Sequence, residues 1–188
     1  MGSIIRKLGI TFTLAVSFLV AGCTDDAKTP LSAVPTGPSL STSDMQTLAR
    51  FREKPQITIA WAKKWIGPEG GRLDFMGFAI DVPAGAVDKV TMFSIRLPVD
   101  PSGAEHVVAE FGPHAQQFAR PVAIELPLRG TTLDGSVAPT IVWWNDAWVN
   151  MGATVTADGQ RLRTLTEHFS TYGTTEAARG GTFVTSGG

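Results

Sequence analysis

The chain has 188 residues, 43% of them hydrophobic and 18% charged, with 17 acidic side chains against 16 basic ones. That length suits one ordinary domain with appendages, and the near-neutral charge argues against the basic face a nucleic-acid partner needs. A single cysteine excludes any intramolecular disulfide.

Near the start, Arg6 and Lys7 precede an uncharged apolar run from Leu8 to Val20. The run is short for a bilayer span, which takes about 20 residues, so residues 1–22 read as an export signal. Val20-Ala21-Gly22-Cys23 resembles a bacterial lipobox, where small residues precede the cysteine that becomes the mature N-terminus. The resemblance implies a diacylglyceryl thioether on Cys23 and an acylated amine, and hence a membrane partner. One acyl chain gives a binding constant of only about 10⁴ M⁻¹, so three should anchor almost permanently. Thr24 rather than aspartate follows the cysteine. That is similar to lipoproteins of two-membrane bacteria sent on to the outer membrane, facing the periplasm or the cell surface. Loss of residues 1–22 takes the formal charge from −1 to −3.

Residues 23–43 are rich in Ser, Thr, Pro, Asp and Ala, too polar to offset their ordering entropy. They read as a tether, holding the next domain roughly 25 Å from the bilayer. Residues 44–54 predict a short amphipathic helix, with Ser43 as cap and Gln46 in the capping-box position. Met45, Leu48 and Phe51 share one face, Arg50, Arg52 and Lys54 suit the C-terminus, and Pro55 stops it. Such a helix could rest on a membrane; its small apolar face suits covering an edge of the next domain better.

From residue 56 to residue 174 the pattern is β. Ile57, Ile59 and Trp61 alternate with polar or small residues, and Lys63 breaks the stripe before Trp65 and Ile66. Two turn signals, Gly67-Pro68-Glu69-Gly70-Gly71 and Val82-Pro83-Ala84-Gly85-Ala86, separate the strand-length runs Arg72–Phe75, Phe78–Val82 and Thr91–Leu97. Further strands follow at Val107–Phe111 and around Val122, Ile124 and Leu126, then a loop from Leu128 to Ala138. The prediction is an all-β, antiparallel, immunoglobulin-like β-sandwich, with residues 175–188 as a flexible tail.

The Gly-Gly-Arg-Leu run before Val-Pro-Ala-Gly-Ala resembles the start of a ZU-five domain, named for zona-occludens proteins and netrin receptors. Gly112-Pro113-His114 ahead of Phe118, then Pro121 and an alternating strand, continues that likeness. The resemblance spans about Trp65 to Tyr172. It implies a binding or scaffold module.

Asn145-Asp146 can close a hairpin between Pro139–Trp144 and Ala147–Val155, and Asp158-Gly159 another onto Gln160–Tyr172. Two-residue loops would set Trp143, Trp148 and Phe169 side by side on one face. The other face, with Val142, Trp144, Ala147, Val149, Met151, Val155, Leu162 and His168, is more continuously apolar and so is assigned to the core. The aromatic row would then point outward and could dock a protein or a glycan. A covering helix or loop, or a bulge between Leu162 and Leu165, would remove it from the surface.

His168-Phe169-Ser170 is the one constellation with chemistry in it. On a regular strand His168 and Ser170 share a side, so His168 could take the Ser170 proton and Oγ attack the Phe169 carbonyl. The tripeptide resembles the self-cleavage site of the nuclear-pore autoproteolytic domain and of a self-processing ZU-five domain. Cleavage also needs a strained peptide, whereas the flanking residues read as regular strand. His106, His114 and His168 lack short metal-ligand spacings, so no metal is expected. Gly67 to Gly71 is not followed by the Lys-Ser or Lys-Thr of a phosphate loop, and no cofactor is expected. Two functions stay open: a lipid-anchored, non-catalytic binding module, or a domain that cuts itself once between Phe169 and Ser170.

Overall fold

The computed structural model describes residues 47–56, 61–98 and 104–177. The export signal, Cys23, the tether and residues 178–188 lie outside the described residues, as do Ile57 and Ile59. Among the described residues the chain is all β, without helix. Its strands are β1 (Trp61–Ile66), β2 (Gly71–Phe75), β3 (Phe78–Val82), β4 (Thr91–Arg96), β5 (Val108–Gly112) and β6 (Val122–Pro127). They continue with β7 (Pro139–Trp144), β8 (Trp148–Asn150), β9 (Thr154–Val155), β10 (Arg161–Thr166) and β11 (Thr171–Glu176). Thr175 and Glu176 thus belong to the last strand, not to a tail.

All pairings between these strands are antiparallel, in a six-stranded sheet ordered β1-β4-β5-β11-β7-β8 and a five-stranded sheet ordered β2-β3-β6-β10-β9. The chain keeps crossing between them: β1 is in the first sheet, β2 and β3 in the second, β4 and β5 back in the first. One core joins both sheets, with Phe78, Ile80, Ile124 and Leu162 from the second and Phe93, Ile95, Phe111 and Tyr172 from the first. Alternation explains the choice. In β4, Thr91, Phe93 and Ile95 are buried while Met92 and Arg96 are exposed.

The two turn signals dock on one another. The Gly85 amide donates to the Pro68 carbonyl at 2.8 Å, and Gly85 holds φ at +78°. A β-branched residue is strained there, so Gly85→Val should cost about 1–3 kcal/mol. A shift of the urea midpoint reports it; an unshifted midpoint would mean the turn tolerates a side chain.

The helix expected over 44–54 is not formed by its described part. Residues 47–54 run irregularly across the six-stranded sheet, and their amides bond to the sandwich instead of to a helical turn. Ala49 donates to the Thr174 carbonyl, Phe51 to Glu105 and Arg52 to Gly130, while Val107 donates back to Ala49. The Leu48 side chain lies over Gly173, where an added Cβ would sit 2.8 Å from Leu48 Cδ2. Tertiary pairing overrides a marginal helix signal at this length. Both conformation and place differ from the expectation: Leu48 covers the face of the interior strands β5, β11 and β7, not a sheet edge.

The β7–β8 hairpin is one residue out of the expected register. Trp144, not Trp143, lies opposite Trp148, because Ala147 joins Asn145 and Asp146 in a three-residue loop. Asp146 takes φ of +57°, and the Asn145 amide donates to the Ala147 carbonyl. The strand then breaks at Met151–Ala153, with Gly152 at φ +70°, and resumes as β9 in the other sheet. There the expected pairing of Val155 with Leu162 holds.

The assigned core face is inverted on β7 alone: Leu162 lies in the core and Met151 packs against it as assigned, while Val155 at the sheet edge is exposed. Ile141 lies in the main core with Trp143 packed against it, whereas Val142 joins Leu48 and Val108 in a small outer cluster with Trp148 against it. Because Leu48 covers the outer face, both faces of β7 are apolar. Hydrophobicity alone could not tell them apart.

Candidate functional site

Residues 167–170 carry the chain from β10 in one sheet to β11 in the other, so strand alternation does not govern His168 and Ser170. The Ser170 hydroxyl donates to the Trp144 carbonyl at 3.0 Å. The His168 ring instead meets the Trp143 ring edge-on, 4.8 Å between centroids. Thr166 Oγ1 and the Tyr172 hydroxyl each lie 2.7 Å from the His168 carbonyl and 3.0 Å from each other, so their two protons are shared within one three-oxygen cluster. Burial pushes the Tyr172 phenol up to about 12, against a smaller opposing effect of its Thr166 hydrogen bond, so it stays a neutral donor. The crossover is pinned from both ends.

Phe169 is not a surface residue. It is 3% exposed and packs against Phe93, Phe111 and Phe118, with ring centroids 5.9, 5.9 and 4.8 Å away. The expected row of Trp143, Trp148 and Phe169 is therefore dispersed: Phe169 in the core, Trp143 at its margin, Trp148 on the outer face beside Trp144. The register slip and the two sheet crossings account for that.

Trp143 and Trp148 both stay partly exposed, and Trp143 faces a cleft. Trp143 and His168 wall an open cleft of about 720 Å³, completed by Pro121, Met151, Leu165 and Glu167 among others. It lies where the β8–β9 and β10–β11 crossings meet. An aromatic wall, an imidazole, a carboxylate and exposed Leu165 can hold a flat or extended ligand by stacking and hydrogen bonding.

A second constellation was not anticipated. On the outer face of the five-stranded sheet, Glu125 accepts from Arg72 and Arg163 at 2.6 Å each and from Arg161 at 3.0 Å. Its side chain is only 6% exposed. Asp74 accepts from Arg72 and Arg161, and Asp81 from Arg163, so three cations meet three carboxylates. Burial alone would raise Glu125, but hydrogen bonds from Arg72, Arg163 and Arg161 outweigh it and hold the carboxyl at about 2. The signal was there in Arg72-x-Asp74 and Arg161-x-Arg163, charges at strand spacing. The strand order that joins them was not. With every charge matched, this cluster reads as structural.

The other histidines are separate. His106 is buried, and His114 Nε2 lies 2.9 Å from Glu110 Oε1. Glu105 pairs with Arg50 at 3.2 Å. Among the described residues no group of three His, Cys, Asp or Glu side chains is placed to hold a metal. Comparison with protein-family models gives no match, and comparison with curated proteins gives none, so function must be argued from these residues.

Proposed function

We propose that this protein is a lipid-anchored component of a bacterial cell envelope whose immunoglobulin-like, ZU-five-like sandwich acts as a non-catalytic binding module. The observation that carries the binding role is the cleft walled by Trp143 and His168. The lipobox-like Val20-Ala21-Gly22-Cys23 supports the anchor, with the outer membrane as its destination. The ligand is a protein segment or a glycan, either of which can stack on an indole. The self-cleaving alternative has less support, because Ser170 directs its proton to the Trp144 carbonyl and His168 turns to Trp143.

His168→Ala tests the cleft. The ring is half-buried at the surface, so the melting midpoint should hardly move. Retention of an envelope protein or glycan fraction on immobilised protein should fall roughly three- to tenfold, the worth of one aromatic contact. Equal retention by variant and parent would remove the cleft from the account.

A further inference from the structure

We propose that the outer face of β1 and β4 is a docking surface that lays the domain on an anionic phospholipid bilayer. The register sets Trp61 opposite Arg96, Lys63 opposite Ser94 and Trp65 opposite Met92. All six side chains share the sheet face away from the core. Trp65 is 66% exposed, Trp61 47% and Met92 37%, the largest concentration of bare indole on the described surface. Lys63 Nζ stands 3.5 Å from the Trp61 ring centroid, so cation and indole form one amphipathic unit.

The composition of this face selects its occupant. Indole rings are favoured at the level of lipid headgroups, where an apolar body and a polar N–H are both accommodated. Lys63 and Arg96 add positive charge, and none of the six positions carries a carboxylate. The charge pairing closest to it is Arg96 with Glu110 on β5, at 3.9 Å. Anionic headgroups complement this arrangement. Strand addition by a second copy or a peptide fits less well, although β1 is the sheet edge. Lysines such as Lys63 and Lys64 are what edge strands carry against such pairing. The inference rests in part on the proposed lipid anchor, since acylated Cys23 would bring this face to a membrane.

The test uses full-length acylated protein in vesicles with brominated acyl chains, made from phosphatidylcholine with or without phosphatidylglycerol. Tryptophan quenching should be at least about two-fold stronger with phosphatidylglycerol, and a Lys63→Glu, Arg96→Glu variant should lose that difference. Both sites are exposed, and an unchanged melting midpoint shows that the variant is folded. Flotation with the vesicles reports the anchor separately and should survive the charge reversal. Flotation with quenching that ignores both lipid charge and the substitutions overturns the docking face and leaves the anchor standing. Protein that neither floats nor is quenched overturns both. Binding of an acidic polypeptide at Lys63 and Arg96 without quenching would assign the face to a protein, and the proposal would fall.

Discussion

Phe169→Ala should lower the folding free energy by about 3–5 kcal/mol, the usual cost of emptying an aromatic site in a core. Phe169 closes a cluster of Phe93, Phe111 and Phe118 at the point where the chain changes sheets. Neighbours drawn from β4, from β5 and from the β5–β6 connection cannot all collapse into the space. Urea unfolding of the variant reads the loss directly. A change below about 1 kcal/mol, typical of a surface position, would return Phe169 to the exterior.

Glu125→Ala should cost about 2–4 kcal/mol. Removing one partner of a buried ion pair typically costs about 3–5 kcal/mol, and the partial exposure of the arginines reduces that. Three guanidinium groups would be left sharing Asp74 and Asp81. The acid limb of stability carries the same information. The folded Glu125 carboxyl lies at about 2, below its ordinary 4.5, so its contribution is complete above 4.5. It is lost as pH falls from there through about 2. In Glu125→Gln that part of the acid limb should flatten. An acid limb identical to the parent's would show that Glu125 is not the group being protonated.

Local features proved legible where one strand and one turn decide them. The runs Arg72–Phe75 and Phe78–Val82 and the Gly85 turn are found as expected, because period-two alternation and a glycine-specific φ are written in neighbouring residues. What depended on distant partners did not read through. The β7–β8 register turned on Ala147 entering the loop, a one-residue difference that turns β7 over relative to β8. Leu48 made the outer face of β7 as apolar as the inner one. The Glu125 cluster needed the order β2-β3-β6-β10, which no local pattern encodes. Trp61-x-Lys63-x-Trp65 held a usable clue, since a lysine within an aromatic stripe marks that stripe as facing solvent.

The measurement that tests the central claim most directly is the intact mass of protein purified from its native membranes. The account predicts one chain, beginning at Cys23 with diacylglyceryl and amide-linked acyl groups and running unbroken through Phe169–Ser170. A chain with an unmodified Cys23 would contradict the anchor. Two chains, one ending at Phe169 and the other starting at Ser170, would contradict the non-catalytic reading and make this a self-cleaving domain.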